Sequence, residues 1–183
     1  MNGSVSLLVT TQNTLSALLP EIVLIVTATA MMTFGAFVRA PRGAWASCSA
    51  IALVFALMLL LLGGETPLDP YLAVITTDSF ALLGRVLFLV TGLIAVAFAV
   101  DQIDDQRAPE FLGCLLLMHA GGMVVASAND LVLMFVGLEL VSIPTYLLLY
   151  LLRRDSLAEE AATKYFFLSL FASALFLFGS SYL

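Results

Sequence analysis

Residues 130–152 read DLVLMFVGLELVSIPTYLLLYLL. After its opening aspartate this run holds a single charge, Glu139, and nothing in it alternates with period two. A helix needs about 20 predominantly apolar residues to cross the hydrocarbon of a bilayer. Within lipid a backbone satisfies its polar groups only as a helix or a closed barrel, and a barrel strand would be shorter and alternating. The stretch is therefore read as a spanning helix with a carboxyl near its middle. A charge at that depth costs roughly 2.5 to 3.5 kcal/mol on insertion scales, and groups tolerated there usually mark an ion or proton path.

Working outward, comparable apolar runs cover about Leu15 to Val38, Trp45 to Leu62, Phe80 to Val100, Phe111 to Ala128 and Leu157 to Leu183. The expectation is an all-α, polytopic transmembrane bundle of about six helices, with residues 1–183 forming one transmembrane domain. Hydrophobic residues make up 62% of the 183 positions and charged residues 11%, against about 45 to 50% and about 25% in globular proteins. That leaves no room for a soluble domain of ordinary size. The net charge is −6, and the seven basic residues make no stripe able to follow a phosphate backbone, so nucleic acid is not an expected partner. Cys48 and Cys114 lie in separate apolar runs without metal-ligand spacing and read as small core fillers rather than a disulfide or redox centre. No Lys or Arg precedes Arg39, so the basic opening of a cleaved signal peptide is missing; Ser4 to Leu19 reads as an interfacial lead into the first span.

Basic residues sort between the connections: Arg39 and Arg42 follow run one, Arg107 follows run three, and Arg153 and Arg154 follow run five. The positive-inside rule places these three connections in the cytoplasm and both chain ends on the opposite side, N-out and C-out. The second connection, with Glu65, Pro67, Asp69 and Pro70, reads as an exposed outer turn. Ala128 to Asp130 is so short that runs four and five are expected to be antiparallel neighbours. Asn129 or Asp130 can cap run five, and Ser156 with Glu159 has capping-box spacing for run six. Gly121, Gly122, Ala126 and Ala128 would let helix backbones approach closely.

Two readings of Glu139 are open. One is a protonated carboxyl tied to a neighbouring helix by a hydrogen bond. The other is a titrating site, in which desolvation favours the neutral form and a nearby cation favours the charged one. A unit charge at 4 Å is worth roughly 4 kcal/mol at an effective dielectric of about 20, enough to load or discharge such a group. Lys164, 25 residues on, is the candidate cation. Measured from the connection near Arg153 and Asp155, Glu139 lies about 20 Å and Lys164 about 14 Å deep, so the two are expected at similar depth. Lys164 can equally pair with Glu160 one turn earlier and snorkel towards water. Pro144 removes the amide partner of the Leu140 carbonyl, leaving either a hydrated break near Glu139 or an ordinary kink. His119, the only histidine, can extend a proton wire or make one interhelical bond. Arg85 reads as snorkelling outwards towards Asp78, and Glu21 as complementing the positive end of run one. Asp101, Asp104, Asp105 and Glu110 read as a solvated face.

Ala126-Ser127-Ala128-Asn129-Asp130-Leu131, Phe135-Val136-Gly137-Leu138-Glu139-Leu140 and Ala161-Ala162-Thr163-Lys164-Tyr165-Phe166 together resemble the antiporter-like membrane subunits of respiratory complex I. Leu19-Pro20-Glu21 and Asp78-Ser79-Phe80-Ala81-Leu82 extend the likeness, which is nearest to subunit N of bacterial NADH:quinone oxidoreductase, subunit 2 in chloroplasts and mitochondria. The resemblance implies that Glu139 and Lys164 are the fifth-helix glutamate and sixth-helix lysine of redox-driven proton pumping. It also implies about fourteen helices in two inverted five-helix units. The expectation is therefore that six helices are the amino-terminal portion of a longer polypeptide or a truncated gene, with at most one half-channel.

The function implied is that of a non-redox, proton-translocating subunit of a translocase, with this chain alone not catalytic. NADH, FMN, iron-sulfur clusters and quinone are expected on partner subunits, and no cofactor or metal on this chain. Expected partners are the other membrane subunits of complex I and the lipid of a bacterial plasma membrane, the cell inner membrane. Two alternatives are a subunit of a multisubunit cation/proton antiporter, and a structural membrane subunit whose charges only pin helices.

Overall fold

The computed structural model describes residues 13–63, 73–153 and 155–183. After a helical turn at 13–17, six helices follow: α1 (Leu19–Gly35), α2 (Arg42–Leu62), α3 (Ser79–Ala99), α4 (Ala108–Ser127), α5 (Leu131–Leu152) and α6 (Ser156–Ser180). Five are long and apolar enough to cross a membrane; α1, at 17 residues, is shorter, at the lower edge of a spanning length. The chain is thus a polytopic helical membrane bundle.

Most connections are short and force consecutive helices antiparallel, and contacts between connections fix the two ends of the bundle. At one end the Arg42 amide donates to Asp105 Oδ1 at 2.9 Å, Arg42 Nη1 to the Ile103 carbonyl at 3.3 Å, and Arg107 Nη1 to the Leu151 carbonyl at 3.3 Å. Asp105 is therefore not merely a solvated charge. At the other end residues 73–77 pair with the α4–α5 connection: Thr76 N donates to Ser127 O, Asn129 N to Val74 O, and Asn129 Nδ2 to Ala73 O, at 2.8, 2.8 and 2.9 Å. An antiparallel bridge joins Ile75 to Ala128. Ala73 and Ile75 are buried, so this part of the second connection is a latch rather than an exposed turn. Glu65, Pro67, Asp69 and Pro70 fall outside the described residues.

The bundle is built around α4, which packs against α1, α2, α3 and α5. Leu112, Leu116 and Met123 of α4 are fully buried with Leu24, Leu53 and Leu89 from its neighbours. Small residues set the spacing. A Cβ on Gly121 would lie 2.9 Å from the Gly137 carbonyl oxygen and from the Leu140–Val141 peptide of α5. One on Gly122 would strike the Phe88 ring of α3, and one on Gly84 would meet Ala126 Cβ at 2.9 Å. With α4 backbone lying against it, the Leu140–Val141 peptide is covered by protein beside the proline at Pro144, which is itself buried.

Sheltered by α4 on one side, α5 has only α6 on the other, and α6 touches α5 alone among the helices. No residue of α6 is fully buried. Asp130 caps α5 through the Val132 amide at 3.3 Å. Asp155 caps α6 through the Ala158 amide at 2.8 Å, so the cap falls one residue before the expected Ser156. Cys114 is buried but Cys48 is exposed, which corrects its reading as a core filler; both are free thiols.

Candidate functional site

The carboxyl of Glu139 lies midway along α5, partly buried. Gly137, two residues earlier, faces α4 through contacts with Val124 and Val125. Two residues advance a helix by about 200°, so Glu139 turns away from α4 towards α6, where Ser173 Oγ donates a hydrogen bond to its Oε1. Aromatic pairs close the helix contact on both sides of this bond. Phe135 stacks on Phe176 at 5.8 Å towards the latch end, and Tyr146 meets Phe166 edge-on at 5.5 Å towards the other. All three pairs keep one antiparallel register.

That register decides the fate of Lys164. Continued along α6, it sets Lys164 level with Leu148, nine residues and about 13 Å along the axis from Glu139. Ser173 also follows Lys164 by nine residues, about two and a half turns, so the lysine projects from the opposite side of α6. There its Nζ bonds to Glu160, one turn earlier, and both side chains are well exposed. The expected direct pairing with Glu139 at matched depth is not made. The reason is the axial offset set by the α5–α6 turn, which counting residues from the connection understated. Lys164 sits in a shallow apolar groove with Leu149, Ala161, Tyr165, Leu168 and Phe171.

His119 is buried in α4, with Nδ1 at 2.8 Å from the Leu115 carbonyl oxygen. A Cβ on Gly92 of α3 would lie 3.1 Å from both its ring and Leu53 of α2. Gly121, two residues on, faces α5, so His119 points to the far side of α4 from Glu139 and makes no contact with it.

The buried ion pair lies elsewhere. Arg85 Nε and Nη2 each donate to one carboxylate oxygen of Glu21 at 2.7 Å, and Nη2 donates again to the Ala17 carbonyl at 2.7 Å. The side chains are 5% and 1% exposed, which overturns the reading of Arg85 as a snorkel and of Glu21 as a helix-end complement. The signal was available: α1 and α3 both begin at the latch end, and each carries one opposite charge near its start. A planar two-point bond neutralises the pair while letting both charges leave water. A cavity of about 650 Å³ opens beside it, lined in part by Ser16, Pro20, Leu60, Asp78 and Leu82. Among the described residues no three His, Cys, Asp or Glu side chains converge as metal ligands.

The profile of the transmembrane family described as NADH:quinone oxidoreductase/Mrp antiporter matches residues 128–183, which hold Glu139, Ser173 and Lys164. NADH-quinone oxidoreductase subunit N 1 of Solibacter usitatus is 34% identical over 168 residues, covering 90% of this chain and 35% of that protein. NAD(P)H-quinone oxidoreductase subunit 2 of a Picosynechococcus species is 33% identical over 171 residues, 91% of this chain and 32% of the relative. A chain in the structure of respiratory complex I from Thermus thermophilus with bound aureothin superposes with a TM-score of 0.72 at 30% identity, covering 89% of this chain and 36% of that one. The chain spans about a third of the length of the curated relatives it matches. Across most of its length it is similar to subunit N of NADH-quinone oxidoreductase and to subunit 2 of NAD(P)H-quinone oxidoreductase.

Proposed function

We propose that this chain is a proton-translocating membrane subunit of a NADH:quinone oxidoreductase. The observation that carries the reading is the carboxyl of Glu139, held at mid-span on the α5–α6 contact and partly buried, with one hydrogen-bond donor upon it. A carboxyl so placed can take a proton from one side of the membrane and release it to the other if its surroundings change between the two events. NADH oxidation and quinone reduction, with flavin, iron-sulfur clusters and quinone, belong to partner subunits, and this chain supplies part of the path. The names of its relatives support this reading over a cation/proton antiporter or a purely structural subunit.

Lys164 and His119 are separate stations of the same proposed path. Lys164 exchanges protons across the outward flank of α6, and His119 on the α2–α3 side of α4; neither passes a proton directly to Glu139. By the positive-inside rule the Arg39, Arg42, Arg107 and Arg153 end faces the cytoplasm of a bacterial cell. Proton pumping by membrane vesicles holding the assembled complex tests the proposal. Glu139→Gln should lower protons moved per electron while assembly on native gels and quinone reduction persist. An unchanged proton yield overturns it.

A further inference from the structure

We propose that Ser173 is a positioning residue for proton exchange at Glu139, an inference that rests on the function proposed above. Hydroxyls in membrane helices ordinarily bond to their own backbone one turn back. Ser47, Thr91, Ser142, Thr145, Thr163 and Ser180 all do so, to Gly43, Leu87, Leu138, Val141, Glu159 and Phe176. The hydroxyl of Ser173 instead crosses to another helix and donates to Glu139. It stands on the stripe of α6 that meets α5, one turn before Phe176. The aromatic contacts at Phe135–Phe176 and Tyr146–Phe166 hold the two helices in the register that bond requires.

A donor aimed at one carboxylate oxygen favours the ionised acid and fixes the direction in which the other oxygen points. Among the described residues no charged group competes for this role. From α4, Gly121, Val124 and Val125 meet α5 near this level, and His119 is turned towards Gly92. On α6, Glu160 and Lys164 pair on the opposite face, and Glu159 lies about 20 Å along the axis towards the basic end. Ser173 is thus the polar contact that sets how Glu139 presents its carboxyl for proton exchange.

The test is the pH profile of proton pumping in vesicles carrying the assembled complex. Ser173→Ala removes the donor, and the rising limb of the pumping profile should move up by about one pH unit. Ser173→Thr keeps a hydroxyl and should restore the original profile. Ser173→Cys, a weak donor of similar size, should give an intermediate shift, and it serves if the alanine variant does not assemble. Unmoved profiles for the alanine and cysteine variants, or a threonine variant that behaves like alanine, overturn the assignment. The wild type and Glu139→Gln run alongside: if these two pump alike, the proposed function fails, whereas a Glu139-dependent yield with no response at Ser173 sinks only the positioning role.

Discussion

Glu139 and Lys164 lie on neighbouring helices yet do not meet: the lysine is about 13 Å along the axis and turned away from the Ser173 stripe of α6, paired with Glu160. Ser173 occupies the place against the carboxyl that a lysine would need. Each group therefore has its own partner in this arrangement, and any coupling between them has to run through water, a further polar group or movement of α6. That movement is open to α6 because it is held by α5 alone among the helices.

The register is checked by crosslinking. In a background with Cys48 and Cys114 replaced, cysteine pairs at Phe135 with Phe176 and at Glu139 with Ser173 should join with a short bis-thiol reagent. Glu139 with Lys164 should not. Efficient linkage of the last pair would mean that α6 sits turned and shifted from the position described.

Breaking the Glu21–Arg85 pair should be costly. Glu21→Gln or Arg85→Gln strands a charge or its donors away from water, and loss of one member of a buried pair typically costs about 3 to 5 kcal/mol. Replacing both by leucine should recover most of that loss, because no charge is then left buried. Thermal unfolding of the detergent-solubilised chain reads the difference. Equal stability of all variants would show the pair to be dispensable.

Glycines at helix contacts and on open faces should respond in opposite directions. Gly121→Ala places a methyl 2.9 Å from the α5 backbone, which can yield only if the helices separate, at about 1 to 3 kcal/mol. Gly43→Ala meets nothing within 4 Å and should stabilise α2 by about 0.5 kcal/mol. The sign of the melting-temperature change distinguishes the two.

The cap of α6 supplies a smaller test. Asp155→Ala removes the acceptor of the Ala158 amide and should cost about 1 kcal/mol, while Ser156→Ala should stay within about 0.5 kcal/mol. The reverse order, read in the same melting experiment, would return the cap to Ser156.

The helices were legible in the sequence because a run of about twenty apolar residues has few alternatives in lipid. The three basic connections also gather at one end, as their charges imply. What composition does not carry is the rotation and axial offset of one helix against another, which depend on a few side chains at the contact. Counting residues from the connection puts Lys164 nearly level with Glu139, whereas the Phe135–Phe176 and Tyr146–Phe166 contacts set it lower. Arg85 and Glu21 each suit their own helix end, so neither run alone implies the bond between them across α1 and α3. Ser173 carries no signal of its own in the sequence, because a serine in such a helix is usually satisfied by its own backbone.

The most direct test is infrared difference spectroscopy of the membrane-embedded complex during turnover, with Glu139→Gln as the control. A protonated-carboxyl band that appears and disappears during turnover, and is missing from the variant, is the result expected if Glu139 carries protons. A wild-type spectrum in which every carboxyl band survives the substitution would contradict that claim.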